Sequence, residues 1–143
     1  MGEKLVTIIT AVAVVVLGPY ILTSIINGRQ GNVSAISSID TGRDVIIQID
    51  GQNQLIDVEE YIVGVLPGLV DWQSDMDIIE AQAVAVRGKI YYAMGEETVI
   101  WASNLEYTYY AGDELTKRLG KGNVEKAVKI YEKAVINTKG IIE

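Results

Sequence analysis

The 143 residues include neither His nor Cys. That excludes Ser-His-Asp and Cys-His nucleophilic chemistry, His- or Cys-ligated metals, disulfides and thiol redox work. Proton transfer is left to carboxylates and to Tyr, Lys, Arg, Ser or Thr. Two places gather such residues. The loop Leu69-Val70-Asp71-Trp72-Gln73 follows a Pro67-Gly68 break and precedes a helix start, where anions and polar ligands are favoured. Its plainer reading makes Asp71 and Asp75 solvated acids and Trp72 an apolar anchor. The second place is Glu80, Gln82 and Arg87, on a stretch that is otherwise apolar or small from Ile78 to Val86. Glu80 and Arg87 lie nearly two turns apart on one helix face, so they read as a polar network that holds the fold. Asp71 or a loop carbonyl is the other candidate partner for Arg87.

Little else in the sequence suggests chemistry. There is no P-loop and no dinucleotide glycine pattern, and Gly120-Lys121-Gly122 reads as a turn between helices. No cofactor and no metal are expected. Acids outnumber bases 19 to 12, for a net charge of −7, which argues against a nucleic-acid partner.

The elements that must position these residues follow from the apolar pattern. Leu5 to Ile26, LVTIITAVAVVVLGPYILTSII, carries no charge. As a helix it would reach about 33 Å, enough for a hydrocarbon core of about 30 Å. Residues 1–27 therefore read as an uncleaved membrane anchor, and a signal peptide is the rival reading. Residues 28–43, GRQGNVSAISSIDTGR, read as a juxtamembrane linker.

Residues 44–143 read as one α+β domain. Val45–Ile49 and Leu55–Val58, around Asp50-Gly51-Gln52-Asn53, predict a β-hairpin. A short helix follows over 58–66, its first turn favoured by Glu59 and Glu60. Ser74 with Asp77 has capping-box form and opens a helix to about Met94, apolar around most of its circumference and hence central and buried. Thr98–Trp101 suggests a short strand, and Leu105–Tyr110 a strand or an aromatic loop. Two further helices are expected, one over 113–119 capped by Asp113 and one capped by Asn123. The apolar set of the last is Val124, Ala127, Val128, Tyr131, Ala134 and Val135. Ile141-Ile142 looks like the start of a strand. The residues alone leave open a small membrane-anchored interaction protein in which AQAVAVR is merely a buried Ala-rich helix.

Tyr61-Ile62-Val63-Gly64-Val65, then Glu80-Ala81-Gln82-Ala83-Val84-Ala85-Val86-Arg87, resembles the SpoIID domain. In that family a "YxxGV" segment is followed by "EM" and then by "EALKAQAVAARTYA", and the spacing from Gly64 to Glu80 fits without a gap. Tyr110–Leu119, Tyr131–Val135 and Asn137-Thr138-Lys139-Gly140 are similar as well. The resemblance implies a single-pass membrane protein facing peptidoglycan during forespore engulfment in a spore-forming bacterium. It implies a lytic transglycosylase acting on peptide-free glycan strands alongside a SpoIIP-like amidase. One carboxylic acid would serve there as general acid and then as base.

The match departs from the family at the site. Leu69 stands at the family's catalytic Glu and Val70 at its Met. Glu80 replaces a Lys, and Gly88-Lys89 replaces Thr-Tyr. Leucine cannot transfer a proton, so no catalytic residue is assigned, and Asp71 is the best substitute acid. The expectation is a partial, noncatalytic SpoIID-like protein that binds glycan or acts as a scaffold. The alternative is an active enzyme with a displaced acid.

Overall fold

The structure is a computed structural model that describes residues 39–142. The anchor expected over 1–27, and the linker up to residue 38, lie outside the described residues. Among those described, no helix is long and apolar enough to cross a membrane.

The β-branched run folds as expected into β1 (Asp44–Ile49) and β2 (Gln52–Asp57), an antiparallel hairpin in which Asp44 faces Asp57 and Ile49 faces Gln52. The turn is tighter than the four residues expected. Only Asp50 and Gly51 are left between the strands, both at positive φ (51° and 77°). That is the left-handed pair which matches the natural twist of a two-residue hairpin. Val45, Ile47 and Ile56 turn inward to the core. The short strand β3 (Val99–Trp101) pairs in parallel with β1, giving a three-stranded sheet of order β2-β1-β3. Leu105–Tyr110 is loop, and so is Ile141-Ile142, where a strand had been expected.

Four helices complete the α+β domain: α1 (Val58–Val65), α2 (Met76–Met94), α3 (Gly112–Leu119) and α4 (Val124–Asn137). Asp57 starts α1 by accepting the Glu59 amide at 2.8 Å. Its other carboxylate oxygen accepts the amide and hydroxyl of Thr41, each at 2.7 Å. The end of the linker segment is thereby fastened to the first helix, and Ile39 packs against the core. Helix α4 lies against α2 and α1, burying Ala127, Tyr131, Ala134 and Val135 as the period predicts.

Three local expectations are corrected. Helix α2 begins at Met76 with Asp75 at its N-cap and no side-chain capping bond, so the Ser74–Asp77 box does not form. Asp113 sits inside the first turn of α3, behind Ala111 at the cap. Asn123 occupies the N-cap position of α4 as expected, but its side chain makes no capping bond and instead donates back to the Leu119 carbonyl at 3.1 Å, tying the end of α3 to the start of α4.

Helix α2 is central but not buried all round. Ile79, Ala83, Val86, Arg87, Ile90 and Met94 face inward, while Ala81 and Ala85 are exposed and Ile78 is 51% exposed. Alanine is short enough that its apolar count overstated the buried arc. Ala83, fully buried, is where close packing matters. Ala83→Leu is expected to destabilise the domain by about 1–3 kcal/mol through overpacking, read as a lower denaturation midpoint. The same change at exposed Ala81 should have little effect.

Candidate functional site

The loop singled out in the sequence is held by the elements on either side of it. A 3-10 turn, Leu66–Gly68, ends α1, and the amides of Leu69 and Val70 both donate to the Leu66 carbonyl. The Arg118 Nε donates to the Pro67 carbonyl at 2.9 Å, and the Tyr131 hydroxyl donates to the Val70 carbonyl at 2.7 Å. Helices α3 and α4 thus each pin the loop by a backbone oxygen. Glycine is required at two nearby points. A Cβ at Gly68 would lie 2.8 Å from the Tyr110 ring. At Gly64 it would meet the Tyr109 ring at 2.2 Å, and the Tyr110 amide donates to the Gly64 carbonyl at 2.9 Å. The aromatic segment after β3 is therefore laid directly on α1. Tyr109 also stacks on Tyr61, centroids 5.6 Å apart and planes 7° apart.

These elements enclose a cleft of about 380 Å³ lined by the loop from Pro67 to Trp72 and by Arg118, Leu119 and Tyr131. Leu69, 44% exposed, and Asp71 both open onto it. Among the described residues, Asp71 is the one carboxylate in its lining. It is exposed, and one of its oxygens accepts the Gln73 amide at 2.8 Å, an Asx turn. The Tyr131 phenol is pushed up to about 12, first by burial and then by the negative charge of Asp71. At neutral pH it is a hydrogen-bond donor, not a base. A larger cleft of about 720 Å³ lies between the end of β1 and residues 102–114. It holds Asp50, Asp113 and Glu114 and none of the loop residues. Size alone does not make it the site, because the groups singled out by type and position line the smaller one. Among the described residues no acidic cluster is arranged to hold a metal ion.

The second predicted group, Glu80, Gln82 and Arg87, is partly reassembled. Arg87 is fully buried and does sit in a polar network, but its carboxylate is Glu59 of α1, not Glu80 or Asp71. Nε and Nη2 reach the two Glu59 oxygens at 2.8 and 2.7 Å, a bidentate pair with Glu59 only 1% exposed. The guanidinium also donates to the Val135 carbonyl at 3.3 Å, to the Ile141 carbonyl at 3.1 Å, and to the Thr138 hydroxyl. Thr138 in turn donates to the Ala134 carbonyl at 2.8 Å. A cation at the end of α4 satisfies carbonyls that the helix leaves open and suits the negative end of its dipole. Glu80 instead accepts from Asn137 Nδ2 at 2.7 Å on the surface. Gln82 is half-buried, with no side-chain hydrogen bond among the described residues.

Glu59 is the residue the sequence reading missed. The available signal was its setting, since it sits in a helix whose other residues are apolar or glycine apart from Glu60. An acid buried there requires a base, and of the two bases on α2, Arg87 and Lys89, Arg87 is the one directly after its apolar middle and the buried one.

Helix α1, which carries Gly64, is thus joined through Glu59 to Arg87 on α2 and, through Arg87, to Thr138 after α4. A family model described as SpoIID, stage II sporulation protein, matches residues 50–142. The chain belongs to the SpoIID family. No match was found among curated proteins. The matched span runs from the hairpin turn to the Arg87 contact at Ile141, and so takes in both the SpoIID cleft and its buried ion pair. AQAVAVR is accordingly part of a SpoIID pattern, not a chance Ala-rich helix.

Proposed function

We propose that this SpoIID chain works at peptidoglycan as a noncatalytic module that binds glycan strands through the Pro67–Trp72 cleft. The observation that carries the reading is Leu69, half-exposed at the cleft mouth where the family resemblance implies the acid. Cleavage of a glycosidic bond needs a group that protonates the leaving oxygen, and an isobutyl side chain has none. What the cleft keeps is a recognition surface. It offers the Trp72 ring, backbone carbonyls and amides of a pinned loop, and the Arg118 guanidinium. Aromatic faces beside a few fixed polar groups are the usual make-up of a ligand site.

A second reading rests on Asp71, the carboxylate in the same cleft. It would make the chain an active transglycosylase with a displaced acid. Asp71 is exposed in an Asx turn, with one carboxylate oxygen taken up by the Gln73 amide, and its side chain is one methylene shorter than the Glu it would replace. Noncatalytic binding is therefore the reading we put forward.

The uncharged run Leu5–Ile26 supports a single membrane anchor, and the family resemblance supports a domain on the outer face of the membrane beside the glycan. A SpoIIP-like amidase is the partner that the family suggests.

The binding reading is tested by co-sedimentation of the full chain, in detergent, with insoluble peptide-free glycan. Trp72→Ala is expected to weaken retention about tenfold, as loss of one stacking surface and its desolvated contacts would. Unchanged retention of that variant, or no retention of the wild type, would overturn it.

A further inference from the structure

We propose that the larger cleft is a second ligand site, which takes a lysine-type residue of a peptide, a primary ammonium on an apolar stem. It goes beyond the glycan reading, because it shares no lining residue with the Pro67–Trp72 cleft. Three carboxylates stand in it, Asp50 from the hairpin turn and Asp113 and Glu114 from the first turn of α3. Among the described residues its lining has no Lys or Arg, and none of the three acids is held in an ion pair or a side-chain hydrogen bond. Acids brought to one cleft from two elements repel one another, and a cation seated among them relieves that repulsion. Their sign fixes the charge of the ligand.

The rest of the cleft says what kind of cation it is. Among the described residues no acidic group is arranged to hold a metal ion, and about 720 Å³ is the space of an organic ligand. Its walls include the Tyr107 and Tyr109 rings, Ala102 and Ala111. Such surfaces suit an alkyl stem, and aromatic faces also attract an ammonium. The Tyr61 hydroxyl lies behind this wall. It is fully buried, its ring stacks on Tyr109, and among the described residues it has no hydrogen-bond partner. The neighbours whose charge bears on it are Tyr107 and Tyr109, so it sits beside the two phenols of the lining. Buried hydroxyls are nearly always partnered, and one left open behind a cleft wall marks a place for a polar atom of the ligand. Burial pushes Tyr61 up to about 12, so at neutral pH it keeps its proton and donates. With the half-buried Tyr107 ring displaced, it donates to a carbonyl of the peptide backbone while the side-chain ammonium meets the carboxylates. A free amine would supply the second contact and not the first.

The probe is Nα-acetyl-lysine N-methylamide, titrated calorimetrically into the full chain in detergent at low salt. It is expected to bind about tenfold more tightly than its norleucine counterpart, which has the stem without the amine, and more tightly than n-pentylamine, which lacks the carbonyls. Asp50→Asn should cut lysine affinity about threefold, and because Asn accepts the left-handed turn the fold is kept. Asp113→Asn/Glu114→Gln should bring the lysine probe to the norleucine level. Tyr61→Phe removes a hydroxyl that has no partner in the fold, so the denaturation midpoint should not fall, while lysine and norleucine probes each lose about threefold. Saturating peptide-free glycan should leave the lysine titration unchanged. Equal affinity for lysine and norleucine, a preference that survives the acid changes, unchanged binding to Tyr61→Phe, pentylamine bound as tightly as the lysine probe, or displacement of the probe by glycan overturns the proposal. Failure of the glycan to bind overturns the reading of the loop cleft and leaves this site standing.

Discussion

Arg87→Met is expected to destabilise the domain by about 3–5 kcal/mol. The guanidinium is fully buried, and removing it strands the Glu59 carboxylate, 1% exposed, with no cation beside it. It also opens the Val135 and Ile141 carbonyls and the Thr138 hydroxyl that the same group satisfies. Three segments lose their common tie, namely α1, α2 and the end of α4. Glu59→Leu alone should cost a similar amount, because it leaves a buried unpaired cation. The double change Glu59→Leu/Arg87→Met should cost less than the sum, since apolar replacement of both partners removes the uncompensated charge. Urea denaturation of the three variants gives the cycle. Single-variant midpoints equal to wild type would show that the pair holds nothing together, and strict additivity would show that the two residues act independently.

Gly64→Ala carries the second large effect, about 2–4 kcal/mol. The added methyl would lie 2.2 Å from the Tyr109 ring, so the ring has to move. Overpacking of this kind costs about 1–3 kcal/mol, and parting Tyr109 from Tyr61 forfeits about 0.5–1.5 kcal/mol more. Tyr110 is displaced with it, because its amide bonds to Gly64, and Tyr110 underlies Arg118 at the cleft. Loss of stability should therefore be accompanied by weaker glycan retention. Tyr109→Ala in the Gly64→Ala background should recover part of the stability by making room. Failure of that second change to recover any would mean that the Tyr109 ring is not what excludes a side chain at Gly64.

Periodicity made the helices and the hairpin legible, because burial of one face is a local property of a sequence. Of the i, i+3, i+4 set of α4, Ala127, Tyr131, Ala134 and Val135 are buried and Val124 and Val128 half-buried, and the alternation in β1 places Val45 and Ile47 inside. Ends were harder to read. Ser74 and Asn123 have capping side chains, yet the first stays out of α2 and the second bonds backward to Leu119. In each case the chain beyond the helix decided where the side chain went. The parallel pairing of β3 with β1 is non-local and left no trace in a strand of three residues.

The site divides in the same way. The loop with Asp71 and Trp72 was legible because Pro67-Gly68 and a following helix start are local signals. Arg87 was legible as a buried base in an apolar helix, but its partner was sought on its own helix and lies 28 positions earlier on another. Nor did Arg118 announce itself. It belongs to an amphipathic helix where Lys and Arg are ordinary surface residues, and only packing of α3 on the loop sets it at the cleft.

The central claim is that the chain binds glycan without cutting it. Incubation of the full chain with peptide-free glycan strands, followed by mass spectrometry of the sugar ends, tests it most directly. The expected result is strand retention on the protein with no 1,6-anhydro ends above the protein-free control, and no change on Asp71→Asn. Appearance of 1,6-anhydro ends with wild type, abolished by Asp71→Asn, would contradict it and make Asp71 the acid that replaces the one lost at Leu69.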